Sequence, residues 1–228
     1  MLSPQQAAIA RMLFAIGAIE FKPSKLKLHE TGPGAQLSPI FINLRTPTNP
    51  KPGPLTLWAI AELGKLLFWH IDLIGTPFDA IAGIPNAGEP LADAYEQIAR
   101  RPENELTFSR IRLIKTERDG TRSIARIDPN GPDPRGKNIL LIDDLITRAD
   151  TKLEAVSVLR DAGATVGHIA VIIDREQGGT QKIFNHGVIV HPCMLLSDML
   201  SFYRDEGVIT QSMYEQVIAY LNHETASA

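Results

Sequence analysis

Two adjacent carboxylates, Asp143 and Asp144, close the apolar run Asn138-Ile-Leu-Leu-Ile142, and a short polar turn, Thr147 to Asp150, follows them. The run is short, almost wholly apolar and bounded upstream by Gly136, so it predicts a buried strand. Thr151-Lys-Leu-Glu154 then has the spacing of a capping box. Leu153, Val156 and Leu159 recur on one face of the helix it would open, with Gly163 where a C-cap belongs. A strand that ends in paired acids and turns into a helix N-terminus makes an anion site. The unpaired N–H groups and the positive end of the helix dipole attract a phosphate. The carboxylates beside it can hold sugar hydroxyls or a hard cation such as Mg²⁺.

Three further stretches carry chemistry. Ala80 to Ile84 reads as a buried strand, Gly83 and Gly88 bracket a loop where a ligand can meet backbone closely, and a helix begins near Leu91. Phe108 to Lys115 predicts another strand. It leads into a long, charged, Gly- and Pro-rich run from Thr116 to Gly136, which reads as a mobile lid or a disordered connector. Val166 to Ile173 predicts a strand ending in Asp174-Arg-Glu-Gln-Gly-Gly179. Gly131-Pro-Asp-Pro-Arg-Gly-Lys137 nearly spells a P-loop, but it precedes a strand and ends in Asn138, so that reading is rejected.

The remaining elements must position these groups. Ser3 to Ile16 predicts an amphipathic helix with Ser3 as N-cap, and Ser38 to Arg45 has strand composition. Four prolines make Thr46 to Pro54 a rigid connector, after which Leu55 to Trp69 reads as a helix. His186 to Leu195 supplies a last short strand, and two helical stretches follow around the Gly207-to-Gln211 break. His168, His186, His191 and His223 lack metal-ligand spacing and read as structural. The 228 residues fit one domain, and a net charge of −3 gives no electrostatic reason to expect nucleic acid. A single cysteine, no membrane-length apolar run and no signal peptide make a soluble cytoplasmic protein the expectation.

Over essentially its whole length the chain resembles the type I phosphoribosyltransferases, and among them the orotate phosphoribosyltransferases. Four motifs stand in the family's order: an "SPxFxN" strand at Ser38, "GIPxxGxPLA" from Gly83, the acid pair with its turn, and "DRxxGG" from Asp174. The resemblance implies an α/β fold, a parallel sheet flanked by helices, in one domain. A small hood from residues 1–50 and 192–228 would cover a core of 51–191. It implies transfer of ribose 5-phosphate from phosphoribosyl pyrophosphate to orotate by a homodimer, with Mg²⁺ carried by the substrate rather than held directly by the protein. Asp143 and Asp144 would meet the ribose, and Thr147, Arg148, Ala149, Asp150 and Thr151 the 5-phosphate. Pro85, Asn86, Ala87 and Gly88 would meet the pyrophosphate. Arg175, Thr147 and backbone at Phe41 and Ile42 would fix orotate, and Lys115 and Arg118, on a mobile catalytic loop, would neutralise the leaving group.

The chain departs from the family in several places. Arg148, Ala149 and Asp150 stand where small residues, often Gly-Gly, are usual, and Asn86, Ala87 and Glu89 occupy a loop that often carries lysine. Ile114 and Gly120 replace a loop arginine and histidine, and His29, with Lys27 nearby, replaces a lysine. These departures keep two alternatives open: a non-catalytic regulator that binds phosphoribosyl pyrophosphate or a nucleotide, or a phosphoribosyltransferase for another base. Asp150 is the sharpest, since a carboxylate about 5 Å from a phosphate costs roughly 3 kcal/mol at an effective dielectric near 20. It is expected to point away, as a helix cap or paired to Arg148.

Overall fold

The computed structural model describes residues 1–22, 37–100, 107–118 and 121–226, without the side chains of 117, 118, 121–125, 225 and 226. Helix α1 (Pro4–Ala15) opens on a complete capping box between Ser3 and Gln6, and buries Ile9, Met12 and Leu13. Strands β1 (Ile19–Glu20) and β2 (Phe41–Ile42) pair antiparallel. The strand expected over Ser38 to Arg45 is therefore only two residues long. Helix α2 (Leu57–Ile74) is capped by Thr56 and closed by Gly75 in the left-handed region, so it outruns the expected Trp69 by five residues.

The core is a six-stranded sheet built from β3 (Ala80–Gly83), β4 (Ser109–Arg118), β5 (Thr121–Ile127), β6 (Asn138–Ile146), β7 (Thr165–Asp174) and β8 (Ile189–Leu195). Its spatial order is β5-β4-β3-β6-β7-β8, parallel throughout except for the β4–β5 hairpin at one edge. Helices α3 (Gly88–Ala99), α4 (Asp150–Asp161) and α5 (Gly179–Phe184) connect the strands, and α6 (Leu196–Asp205) and α7 (Gln211–Ala226) complete the chain. Both sheet faces are covered, which explains the unbroken apolar runs. Ile81, Leu140, Ile142, Ala170 and Ile172 join the core under α1, α2, α3, α6 and α7. Ala80, Ala82, Ile139, Leu141, Ile169 and Val171 join the core under α4 and α5. No helix among the described residues is long and apolar enough to cross a membrane.

The hairpin corrects the sequence reading, because β4 and β5 occupy much of the stretch expected to be a long lid. An edge strand needs pairing on one side only, and charged side chains on it discourage association, so its composition looks like that of a loop. The strand expected to end at Lys115 runs on to Arg118, so Lys115 lies within β4, beside a register shift between Ile114 and Lys115, rather than on the mobile loop that the resemblance implies. Arg118 ends the same strand, with its side chain outside the described residues, as are Gly120, Lys27 and His29.

Candidate active site

From β3 the chain crosses outward to β4, and from β6 it crosses to β7 on the other side, yet β3 and β6 are hydrogen-bonded neighbours. Such a reversal opens a crevice at the strands' carboxyl ends. Three segments meet there: the β3–α3 loop, the β6–α4 turn and the β7–α5 loop. They are locked by close backbone contacts. A Cβ on Gly88 would fall on the Ile142 carbonyl oxygen and lie 3.1 Å from the Asp143 Cα and Oδ1. A Cβ on Gly179 would fall on the Thr147 carbonyl oxygen. Backbone hydrogen bonds reinforce both joints: Ile84 N donates to Ile142 O at 2.9 Å, and Arg175 N donates to Ile146 O at 3.0 Å. The first loop carries Pro85, Asn86 and Ala87, and its Pro85–Asn86 peptide bond is cis.

Strand β6 runs four residues beyond the expected Ile142, so the two acids lie within it and point to opposite sides. Asp143 faces α4, where the Lys152 Nζ lies 2.6 Å from its Oδ2, with both side chains buried. Asp143 Oδ1 accepts the Asp144 N–H at 2.9 Å, and Asp144 Oδ1 accepts the Leu145 N–H at 2.8 Å. Burial first, and then the Asp143 charge, push the Asp144 carboxyl up to about 7, against the pull of Lys152. Hydroxyl donors prefer the carboxylate, so a sugar binding here releases a proton when the pH is below 7. Affinity for a sugar phosphate should therefore rise as pH increases from about 6 to about 8, with proton release visible by calorimetry in buffers of different ionisation enthalpy. Stability moves the other way. A carboxyl with a raised pKa stabilises the empty fold fully below its unfolded value, and that contribution is lost as pH rises through about 7. A pH-independent affinity would rule out Asp144 as the sugar contact.

The turn after β6 is made by Thr147, Arg148 and Ala149, the last at φ 70°, a left-handed conformation that favours glycine. Helix α4 starts at Asp150 with no side chain capping it, so the capping box expected at Thr151 is replaced by an earlier, uncapped start. The tight left-handed residue lets the helix begin directly after the turn, and its first N–H groups face the crevice without a capping side chain. The expected partners of Asp150 are also corrected. It is neither a cap nor paired to Arg148. Its Oδ1 lies 2.6 Å from the Lys182 Nζ of α5, while the Arg148 Nη2 lies 3.0 Å from the Glu224 Oε2 of α7. Because the Asp150–Lys182 pair is exposed and already matches the charge, Asp150→Asn should change sugar-phosphate affinity by no more than about fivefold. A tenfold or greater gain by titration calorimetry would show that the carboxylate impairs the site.

The Lys115 Nζ of β4 donates to the Pro85 carbonyl oxygen at 3.4 Å, so a cation from the neighbouring strand reaches a loop that lacks its own lysine. Glu89 faces away into an ion cluster, 2.6 Å from Arg110 Nη2 and 3.0 Å from Arg112 Nη1. At the end of β7, Arg175 is 2% exposed and its Nη2 lies 3.4 Å from Ser38 Oγ, three residues before Phe41. Phe41 and Ile42 sit on β2, where their backbones pair with Glu20 and Ile19. Thus the 85–88 loop, the acid pair Asp143 and Asp144 and the turn from Thr147 to Asp150 meet at one crevice, and Lys115 reaches the first of them, whereas the Asp150 side chain turns toward Lys182 and Arg175, just past β7, is buried against Ser38. Sequence reasoning missed Lys152, Lys182, Glu224 and Arg110. A signal existed for Lys152, which falls at helical spacing with Val156 and Leu159 and so belongs to the buried face of α4.

A family model described as "Phosphoribosyl transferase domain" matches residues 58–190. The chain is 32% identical over 174 residues to an orotate phosphoribosyltransferase of Xylella fastidiosa, a match covering 72% of this chain and 76% of that one. It is 25% identical over 219 residues to a uridine 5′-monophosphate synthase of Caenorhabditis elegans, covering 94% of this chain and 39% of the relative. Among solved structures, a UMP synthase of Leishmania donovani superimposes with a TM-score of 0.72 at 26% identity, over 96% of this chain and 42% of that one. The chain thus spans less than half the length of each synthase.

Proposed function

Because the chain belongs to the phosphoribosyl transferase domain family, and within it to the orotate phosphoribosyltransferases, we propose that it transfers ribose 5-phosphate from phosphoribosyl pyrophosphate to N1 of orotate. Pyrophosphate leaves and orotidine 5′-phosphate forms. The single observation that carries this reading is the meeting of three loops at the β3–β6 reversal, locked by Gly88 against Asp143 and by Gly179 against Thr147.

In this reading the C1–O bond of the sugar lengthens toward an oxocarbenium ion, and the protein's work is to hold two anionic ends apart. The N-terminal turn of α4 with Thr147 receives the 5-phosphate, and Asp144 accepts from a ribose hydroxyl beside the Lys152-paired Asp143. Residues 85–88 receive the pyrophosphate, with Lys115 on the far side of that loop to offset its charge. Arg175 and Ser38 orient the orotate carboxylate, and Phe41 and Ile42 border the base. Among the described residues no three His, Cys, Asp or Glu side chains gather to hold a metal. Mg²⁺ is read as carried by the substrate, where it would neutralise charge on the leaving group. We read the protein as a cytoplasmic homodimer; Trp58, Trp69 and Leu73, exposed on one face of α2, support a buried partner face.

The regulator alternative rests on Ile114 and Gly120, where the family's loop arginine and histidine would stand. It predicts ligand binding without turnover. The acceptor is tested by Arg175→Ala, for which kcat/KM toward orotate should fall about tenfold to a hundredfold with phosphoribosyl pyrophosphate affinity nearly unchanged. Undiminished orotate use by this variant would show that Arg175 does not hold the acceptor.

A further inference from the structure

The β6–α4 turn carries a guanidinium where the family usually has a small residue. Arg148 is half-buried, and its Nη2 lies 3.0 Å from Glu224 Oε2, 76 positions along the chain on α7. Two residues on, Asp150 is matched by Lys182. The acidic and the basic side chain of the turn are thus each paired with an opposite charge from elsewhere in the fold, and the empty turn is electrically balanced. An arriving phosphate dianion breaks that balance. Glu224 meets Arg148 through one guanidinium nitrogen, whereas a phosphate presents several oxygens and up to two charges to the planar fork. Arg148 also directly precedes left-handed Ala149, so its backbone lies beside the uncapped N–H groups of α4.

We propose that Arg148 is a side-chain ligand of the sugar 5-phosphate, and that Glu224 is its resident counter-ion, displaced when phosphate binds. The inference rests on reading this turn as the sugar-phosphate site. It adds a consequence for α7: occupancy of the turn releases that helix's Glu224 from its partner.

Calorimetric titration of ribose 5-phosphate and of phosphoribosyl pyrophosphate into the full chain tests this. Arg148→Met should weaken both ligands by about tenfold to a hundredfold. Arg148→Lys, which keeps the charge but loses the fork, should fall between that variant and the wild type. Glu224→Gln should bind both ligands a few-fold more tightly, because the competing carboxylate is gone. Combined with Arg148→Met it should give no such gain. Arg148→Met or Arg148→Lys binding as the wild type does would overturn the assignment. So would weakening by Glu224→Gln, since Glu224 would then be holding Arg148 in place rather than competing for it. A wild type that binds neither ligand would overturn the proposed function itself.

Discussion

Replacing Lys152 with Met should lower the unfolding free energy by about 3–5 kcal/mol, because it leaves Asp143 as an unpaired buried carboxylate. The pair is 2.6 Å long, and its two side chains are only 8% and 7% exposed, so water cannot take over the lysine's part. Urea unfolding at neutral pH reads the effect as a lower midpoint at constant slope. The deficit should shrink in acid, where the stranded Asp143 can take up a proton. A double replacement, Lys152→Met with Asp143→Leu, should recover most of the loss, since removing both charges removes both desolvation costs. The double variant should still bind sugar phosphate poorly. A Lys152→Met protein within about 1 kcal/mol of the wild type would mean that the pair is solvated and its packing against β6 looser than described.

Gly88→Ala should cost about a hundredfold or more in kcat/KM, with a smaller stability loss of about 1–3 kcal/mol. The atoms that the added methyl meets are the Ile142 carbonyl oxygen and Asp143, one of them backbone and the other pinned by Lys152. No flexible side chain is there to yield. Helix α3 would have to back away from β6, which would separate the 85–88 loop from the acid pair. Steady-state kinetics with both substrates would show the loss in kcat and KM together. Near-normal kinetics would show that the spacing of these two segments does not govern the reaction.

The strand ending at Asp174 and the strand before the acid pair were legible in the sequence because each is an apolar run, whereas the roles of the acid pair and of the DRxxGG segment came from the resemblance. The extension of β6 through Asp144 to Ile146 was not legible. Ladder pairing with β7 continues past the apolar run, and pairing is set by the neighbouring strand rather than by local composition. The β4–β5 hairpin was misread for a related reason, since its charged edge looks like loop until a partner strand is known. Ion pairs such as Arg148–Glu224 and Asp150–Lys182 join positions that only the closed fold brings together. Lys152 was the readable exception, a lysine on the apolar face of its helix. Lys27 and His29, expected near the pyrophosphate, lie outside the described residues.

The most direct test of the central claim is the ultraviolet loss of orotate on mixing the protein with phosphoribosyl pyrophosphate, with and without Mg²⁺. Catalytic, Mg²⁺-dependent consumption of orotate is the predicted result, with orotidine 5′-phosphate and pyrophosphate formed in equal amounts. Absence of orotate consumption by a protein that still binds phosphoribosyl pyrophosphate would contradict transfer to orotate and favour a regulator or another base.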